Sequence, residues 1–179
     1  MTNNIKTSTR NKIPKVFIVS IFFILVGLSN YAVAEVIPLF PQIKPWDLQS
    51  LTITDKNNKD LNFNRKMCVW TLAPEVLATN EVRVTDLADQ LIGLTYQKSI
   101  SGSELMFTNY KVGPDSFDYK IDIGLPEGKS ITLYLGSDDN VPLKYARPSN
   151  SKNLYLLSDE SIKSITMNRN FWLPENGSK

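Results

Sequence analysis

The sequence predicts an α+β domain: antiparallel sheet built of short strands, covered by one amphipathic helix at about residues 80–93 and joined by a short C-terminal helix. Two observations carry this. Apolar and polar residues alternate in several short runs separated by turn-forming residues, the period of strands with one buried face. Between those runs, Val84, Leu87, Leu91 and Leu94 recur at steps of three and four, the period of a helix with one apolar stripe. Strands and helices are segregated along the chain, which excludes the strand–helix alternation of a doubly wound parallel sheet.

The elements follow in order. Residues 1–34 read as a secretory signal peptide. Lys6, Arg10, Lys12 and Lys15 precede the apolar run Val16–Leu28, and Ala32-Val33-Ala34 is a small-x-small cleavage signal ending at Ala34. That run has 13 residues, against the roughly 20 that cross a bilayer as a helix. An uncleaved N-terminal anchor is the alternative. Residues 35–47 hold three prolines and predict an extended lead-in. Residues 48–172 form the single α+β domain, and residues 173–179 a disordered tail.

Within the domain, Leu51-Thr-Ile53-Thr and Leu61-Asn-Phe63-Asn, separated by Lys56–Asp60, predict a hairpin. Lys66-Met67 reverses the chain into Cys68–Leu72, where Cys68, Trp70 and Leu72 are expected on one face. A small buried thiol in a strand is the expectation for Cys68. Thr79 or Asn80 caps the helix, Glu81 suits its positive end, and Gly93 ends or loosens its last turn. Tyr96–Ile100 predicts a strand and Ser103–Tyr110 a short helix or turn. Phe117–Ile123 and Ile131–Leu135 alternate clearly, and Lys144–Arg147 and Asn153–Leu157 add another strand pair. Ser158 or Asp159 is placed to cap the closing helix through Ile162, Ile165 and Met167.

The charges narrow the function. Of 20 basic residues and 18 acidic ones, four basic and no acidic residues fall in 1–34, leaving 16 against 18 after cleavage. The basic balance therefore belongs to the leader, and no basic patch interleaved with aromatics points to nucleic acid. The chain has no histidine and one cysteine. A Ser-His-Asp or Cys-His site and a thiolate metal cluster are thereby excluded, and no catalytic residue, metal or cofactor is expected. Carboxylates remain: a pair among Asp115, Asp118, Asp122, Asp138 and Asp139 could serve a hydrolase acting on envelope glycan. Trp70 is expected in the core. Trp46, Phe171 and Trp172 flank the periodic region, where aromatics either lid the core or meet a partner.

One order of motifs is familiar. Trp70, Leu72 and Pro74 lead into the helix. Tyr110-Lys111-Val112 and Pro114 follow, then Leu133-Tyr-Leu135-Gly136, Tyr145-Ala-Arg147 and Leu154-Tyr-Leu-Leu157. This order resembles the bacterial envelope family named domain of unknown function 4340, over about residues 46–165. The family usually has glycine where this chain has Lys111. The resemblance implies an exported or membrane-tethered domain associated with ABC-type transporters, with no established catalytic residues. The expectation is a periplasmic or other extracytoplasmic binding module with an envelope or membrane protein partner. It would dock through exposed sheet edges or through the Trp46 and Trp172 region, and touch membrane only through an uncleaved N-terminal segment. A signal-anchored structural envelope protein is a further alternative.

Overall fold

Strand pairs in this chain join into one ten-stranded antiparallel sheet, and a separate two-stranded ribbon lies beside it. The computed structural model describes residues 36–138, 141–158, 162 and 165–175, all within the unit Glu35–Lys179. In chain order, β1 is Ile37–Pro38, β2 Ser50–Asp55, β3 Asp60–Lys66, β4 Val69–Leu72 and β5 Leu77–Ala78. Helix α1 spans Glu81–Ile92, β6 Thr95–Ser101 and helix α2 Glu104–Asn109. Then come β7 Val112–Gly113, β8 Ser116–Phe117, β9 Tyr119–Gly124, β10 Ser130–Asp138, β11 Val141–Pro148 and β12 Asn153–Leu157. The large sheet runs β1-β6-β12-β11-β10-β9-β2-β3-β4-β5, and β7–β8 is the ribbon.

The α+β assignment is thus corrected: the molecule is mostly antiparallel β-sheet, with two short helices among its described residues. The physical reason is one pairing. β2 lies against β9, with Leu51 opposite Ile123 and Ile53 opposite Ile121. It splices the early meander β2–β3–β4 to the later strands β9–β12, turning short hairpins into one broad sheet. Alternation shows each strand but not its distant neighbour. The closing helix is corrected too. Residues 159–161 and 163–164 lie outside the described residues, Ile165–Asn168 are not helical, and the last helical piece is a 3-10 turn at Arg169–Trp172.

The sheet is covered on both faces. On one, Val84, Leu87 and Leu91 of α1 pack with Phe63, Trp70 and Leu133 in the main core. Asn80 caps α1, its side-chain oxygen accepting from the Arg83 amide at 3.3 Å, and Gly93 follows the last turn. Fully burying each such apolar side chain contributes about 1.5–3 kcal/mol. On the other face, Tyr134 and Leu154 bury Val112 in a smaller cluster with Phe107 and Tyr110. Gly136 makes that layer possible, since a side chain there would collide with the carbonyl oxygens of Tyr110 and Lys111.

Arg147 holds the second layer. It is 7% exposed. Its Nε donates to Val112 O at 2.8 Å and its Nη1 to Ser151 O at 3.3 Å, while the guanidinium lies 4.4 Å from the Phe107 ring centre. Burial draws its pKa below the ordinary arginine value, and Tyr134 and Glu104 oppose that shift.

The lead-in and the first residues of the tail, where described, are better anchored than their composition suggests. Phe40 of the lead-in is buried, as is Leu48 just after it, and Leu173 packs against the core. Glu175 pairs with Arg83 at 2.6 Å. Cys68 departs most from expectation. It is exposed, and with Met67 it forms the two-residue turn between β3 and β4, both residues at positive φ (50° for Met67, 66° for Cys68). Such a turn matches the twist of a hairpin and normally selects Asn-Gly. Neither Met67 nor Cys68 carries that signature.

Candidate functional site

Trp46 sits in the 3-10 turn Pro45–Asp47, and that turn is pinned from several sides. The Asp47 carboxylate accepts from the Lys44 amide at 2.9 Å, Arg65 Nη1 donates to Pro45 O at 3.2 Å, and Leu48 next in sequence is buried. The indole itself is 71% exposed. Beside the turn lies a groove of about 700 Å³, into which Asp47 contributes. Leu39, Phe40 and Ile43 of the lead-in, Leu125 of the β9–β10 connection and Ile131 of β10 supply its apolar lining. Glu127 and Lys129, paired at 2.8 Å, add charge.

Phe171 is 41% exposed, with the Arg83 guanidinium 4.5 Å from its ring centre. Trp172 is not a surface residue. It is 3% exposed, meets Phe63 edge to face at 5.2 Å, and donates from Nε1 to Thr166 O at 2.9 Å. Its ring lids the core. The surface aromatics are therefore Trp46 and Phe171. Ala32 and Ala34, the expected cleavage signal, lie outside the described residues.

The strand-to-helix joint is closed by packing. Trp70 is buried, Thr79 Oγ1 donates to its carbonyl at 2.9 Å, and a Glu81 carboxylate oxygen accepts its amide at 2.8 Å. Glu81 thus serves the sheet edge as well as the positive end of α1. After the cis Ala73–Pro74 bond the chain first pairs back as β5 and only then enters α1.

Of the five candidate carboxylates, the structure brings two into one cavity. Asp115 and Asp118 line a polar pocket of about 430 Å³ with Lys56, Asn58, Lys111 and Ser116. Asp118 is engaged already, accepting from the Ser137 amide at 2.8 Å and from the Ser137 hydroxyl. Asp122 faces elsewhere: Thr132 donates to it and Lys120 pairs with it at 2.9 Å. The Asp122 hydrogen bond raises the Lys120 pKa against partial burial. Asp138 ends β10 and Asp139 lies outside the described residues. Lys111, where the resembled family has glycine, is at φ 54°. It keeps the left-handed backbone that a glycine would adopt without strain.

Among the described residues, no group of three His, Cys, Asp or Glu is placed to hold a metal ion, and no helix is long and apolar enough to cross a membrane. The class these features define is a broad antiparallel-sheet domain with an exposed indole beside an apolar groove. Compared with protein-family models, curated proteins and solved structures, the chain matches none of them.

Proposed function

We propose that this chain is an exported, non-catalytic binding domain serving an envelope transport or assembly system, and that it docks a protein partner through Trp46 and the adjoining groove. The carrying observation is the exposed indole on a pinned turn. A large aromatic carried on an ordered turn spares the backbone part of the ordering cost of binding, and tryptophan is among the residues that dominate interface energetics. The basic-apolar-small leader supports export to the periplasm or another extracytoplasmic space, with N-terminal anchoring as the alternative. The resemblance of the motif order to an envelope family supports the transport or assembly setting.

The test is crosslinked co-purification from the native envelope, with the mature N-terminus sequenced in the same sample. Trp46→Ala is expected to lose the partner that the wild-type chain retains, and Phe171→Ala to weaken its capture less. Equal capture by wild type and Trp46→Ala removes the docking site from the proposal. An N-terminus at Glu35 removes the anchored reading.

The shared pocket of Asp115 and Asp118 favours a second reading, a carboxylate-based hydrolase of envelope glycan. It requires that Asp115→Asn or Asp118→Asn abolish a glycan-cleaving activity detected in the wild-type protein.

A further inference from the structure

β6 is seven residues long, and its neighbours cover it unequally. β12 pairs with it from Tyr96 to Ser101, whereas β1 reaches only Thr95 and Tyr96. Gln97 is an extra residue between the pairs Tyr96–Leu157 and Lys98–Leu156, a bulge at the point where the β1 cover stops. Beyond it the ladder is regular. The Gly102 amide donates to Lys152 O at 2.9 Å. Antiparallel alternation then turns the backbone groups of Lys98 and Ile100 toward β12 and those of Ser99 and Ser101 outward. Gln97 to Ser101 are all exposed. Among the described residues, no other segment meets the outward amides and carbonyls of Ser99 and Ser101.

We propose that this open stretch of β6 is a strand-addition site. It takes an extended segment of a partner protein, antiparallel, with an acidic residue opposite Lys98 and an apolar residue opposite Ile100. Main-chain hydrogen bonds at Ser99 and Ser101 supply the attachment, and the side chains on one face supply the choice. Lys98 has no ion pair among the described residues, so an opposed carboxylate gains a cross-strand partner. Ile100 is 36% exposed and stands opposite Leu154, which belongs to the second-face cluster. An apolar neighbour there extends that cluster by one strand. Two copies paired antiparallel about Ser99 would set each Lys98 against the other copy's Ile100, leaving the charge unmet. The site uses other elements than the Trp46 groove and does not rest on that reading.

The test uses the protein as its host produces it, isotopically labelled, and an acetylated and amidated peptide Thr-Val-Thr-Glu-Thr. Saturable shifts of the Ser99 and Ser101 amides are expected, and a peptide N-methylated at alternate amides should produce none. Lys98→Glu should weaken binding about tenfold, attraction being replaced by repulsion, and a peptide with Lys in place of Glu should restore it. Ser99→Pro removes an outward amide while leaving the β12 ladder intact, so it should abolish binding with the unfolding midpoint unchanged. If Ser99→Pro does not fold, the charge swap at Lys98 decides alone. Trp46→Ala should leave peptide binding as it was.

Three results overturn the proposal. The first is no shift at Ser99 and Ser101 with millimolar peptide. The second is protection of both amides from exchange before peptide is added, which means that the edge is filled from within. The third is a concentration-dependent dimer dissolved by Lys98→Glu or Ser99→Pro, which makes a second copy the occupant.

Discussion

At the β4–β5 end of the sheet, β5 covers only Thr71 and Leu72, yet the backbone beyond it is not left bare. The Trp70 carbonyl and amide are met from outside by the Thr79 hydroxyl and the Glu81 carboxylate. At the other end, β1 covers Thr95 and Tyr96, and nothing described lies beyond it along β6. The side chains are distributed in the opposite sense. Val69, Val76, Leu77 and Val82 are exposed around the side-chain-capped end, whereas the stretch of β6 beyond β1 shows Gln97, Lys98, Ser99 and Ser101, with Ile100 its one apolar residue. An unpaired edge invites another strand, and proteins blunt it by occupying its hydrogen bonds or by placing charge on it. This molecule occupies the hydrogen bonds at the β4–β5 end, whereas along β6 it leaves them unmet among the described residues, with Lys98 there to discriminate among strands. Where the backbone is satisfied, apolar side chains are tolerated; where it is open, the surface is polar and carries a lysine.

The largest effect that would break this contrast is loss of the side-chain cap. Thr79→Val with Glu81→Ala leaves two polar groups of the buried Trp70 backbone unmet and is expected to destabilise the fold by about 2–4 kcal/mol. Urea unfolding measures this, and light scattering should show the variant associating through its newly opened edge. Next is the layer behind the open edge. Arg147→Met strips the partners from Val112 O and Ser151 O and should cost about 2–3 kcal/mol, read as a lowered denaturation midpoint with unchanged slope. A smaller change has the opposite sign. Cys68→Gly relieves positive φ in the β3–β4 turn beside the capped end and should stabilise by about 0.5–1 kcal/mol, seen as a raised thermal midpoint. The smallest is Lys98→Glu. It should move stability by less than about 0.5 kcal/mol, while reversing the charge preference of the open edge in the peptide titration.

Much of the local structure was legible in the sequence. The Val84–Leu94 stripe predicts α1, Asn80 and Gly93 bracket it, and the alternation at Leu51–Thr54, Leu61–Asn64 and Ile131–Leu135 falls within β2, β3 and β10. The candidate site was legible only in part. Trp46 and Phe171 reach the surface, but Trp172 is held inward by Phe63, a contact between residues more than a hundred positions apart that no local pattern announces. Cys68 lies exposed where alternation would bury it, because the strand period stops at a turn whose residues lack the usual Asn-Gly signature.

What the sequence by itself determined is therefore a set of local elements: strands such as β2, β3 and β10 and the helix α1, each written in a periodicity of neighbouring residues. The tertiary structure alone decided that β2 lies against β9, that Thr79 and Glu81 close one edge, and that, among the described residues, β6 stands open at the other. Periodicity encodes which face of a strand is buried. It carries no record of which distant strand lies alongside, because edge pairing runs through backbone groups that every residue shares.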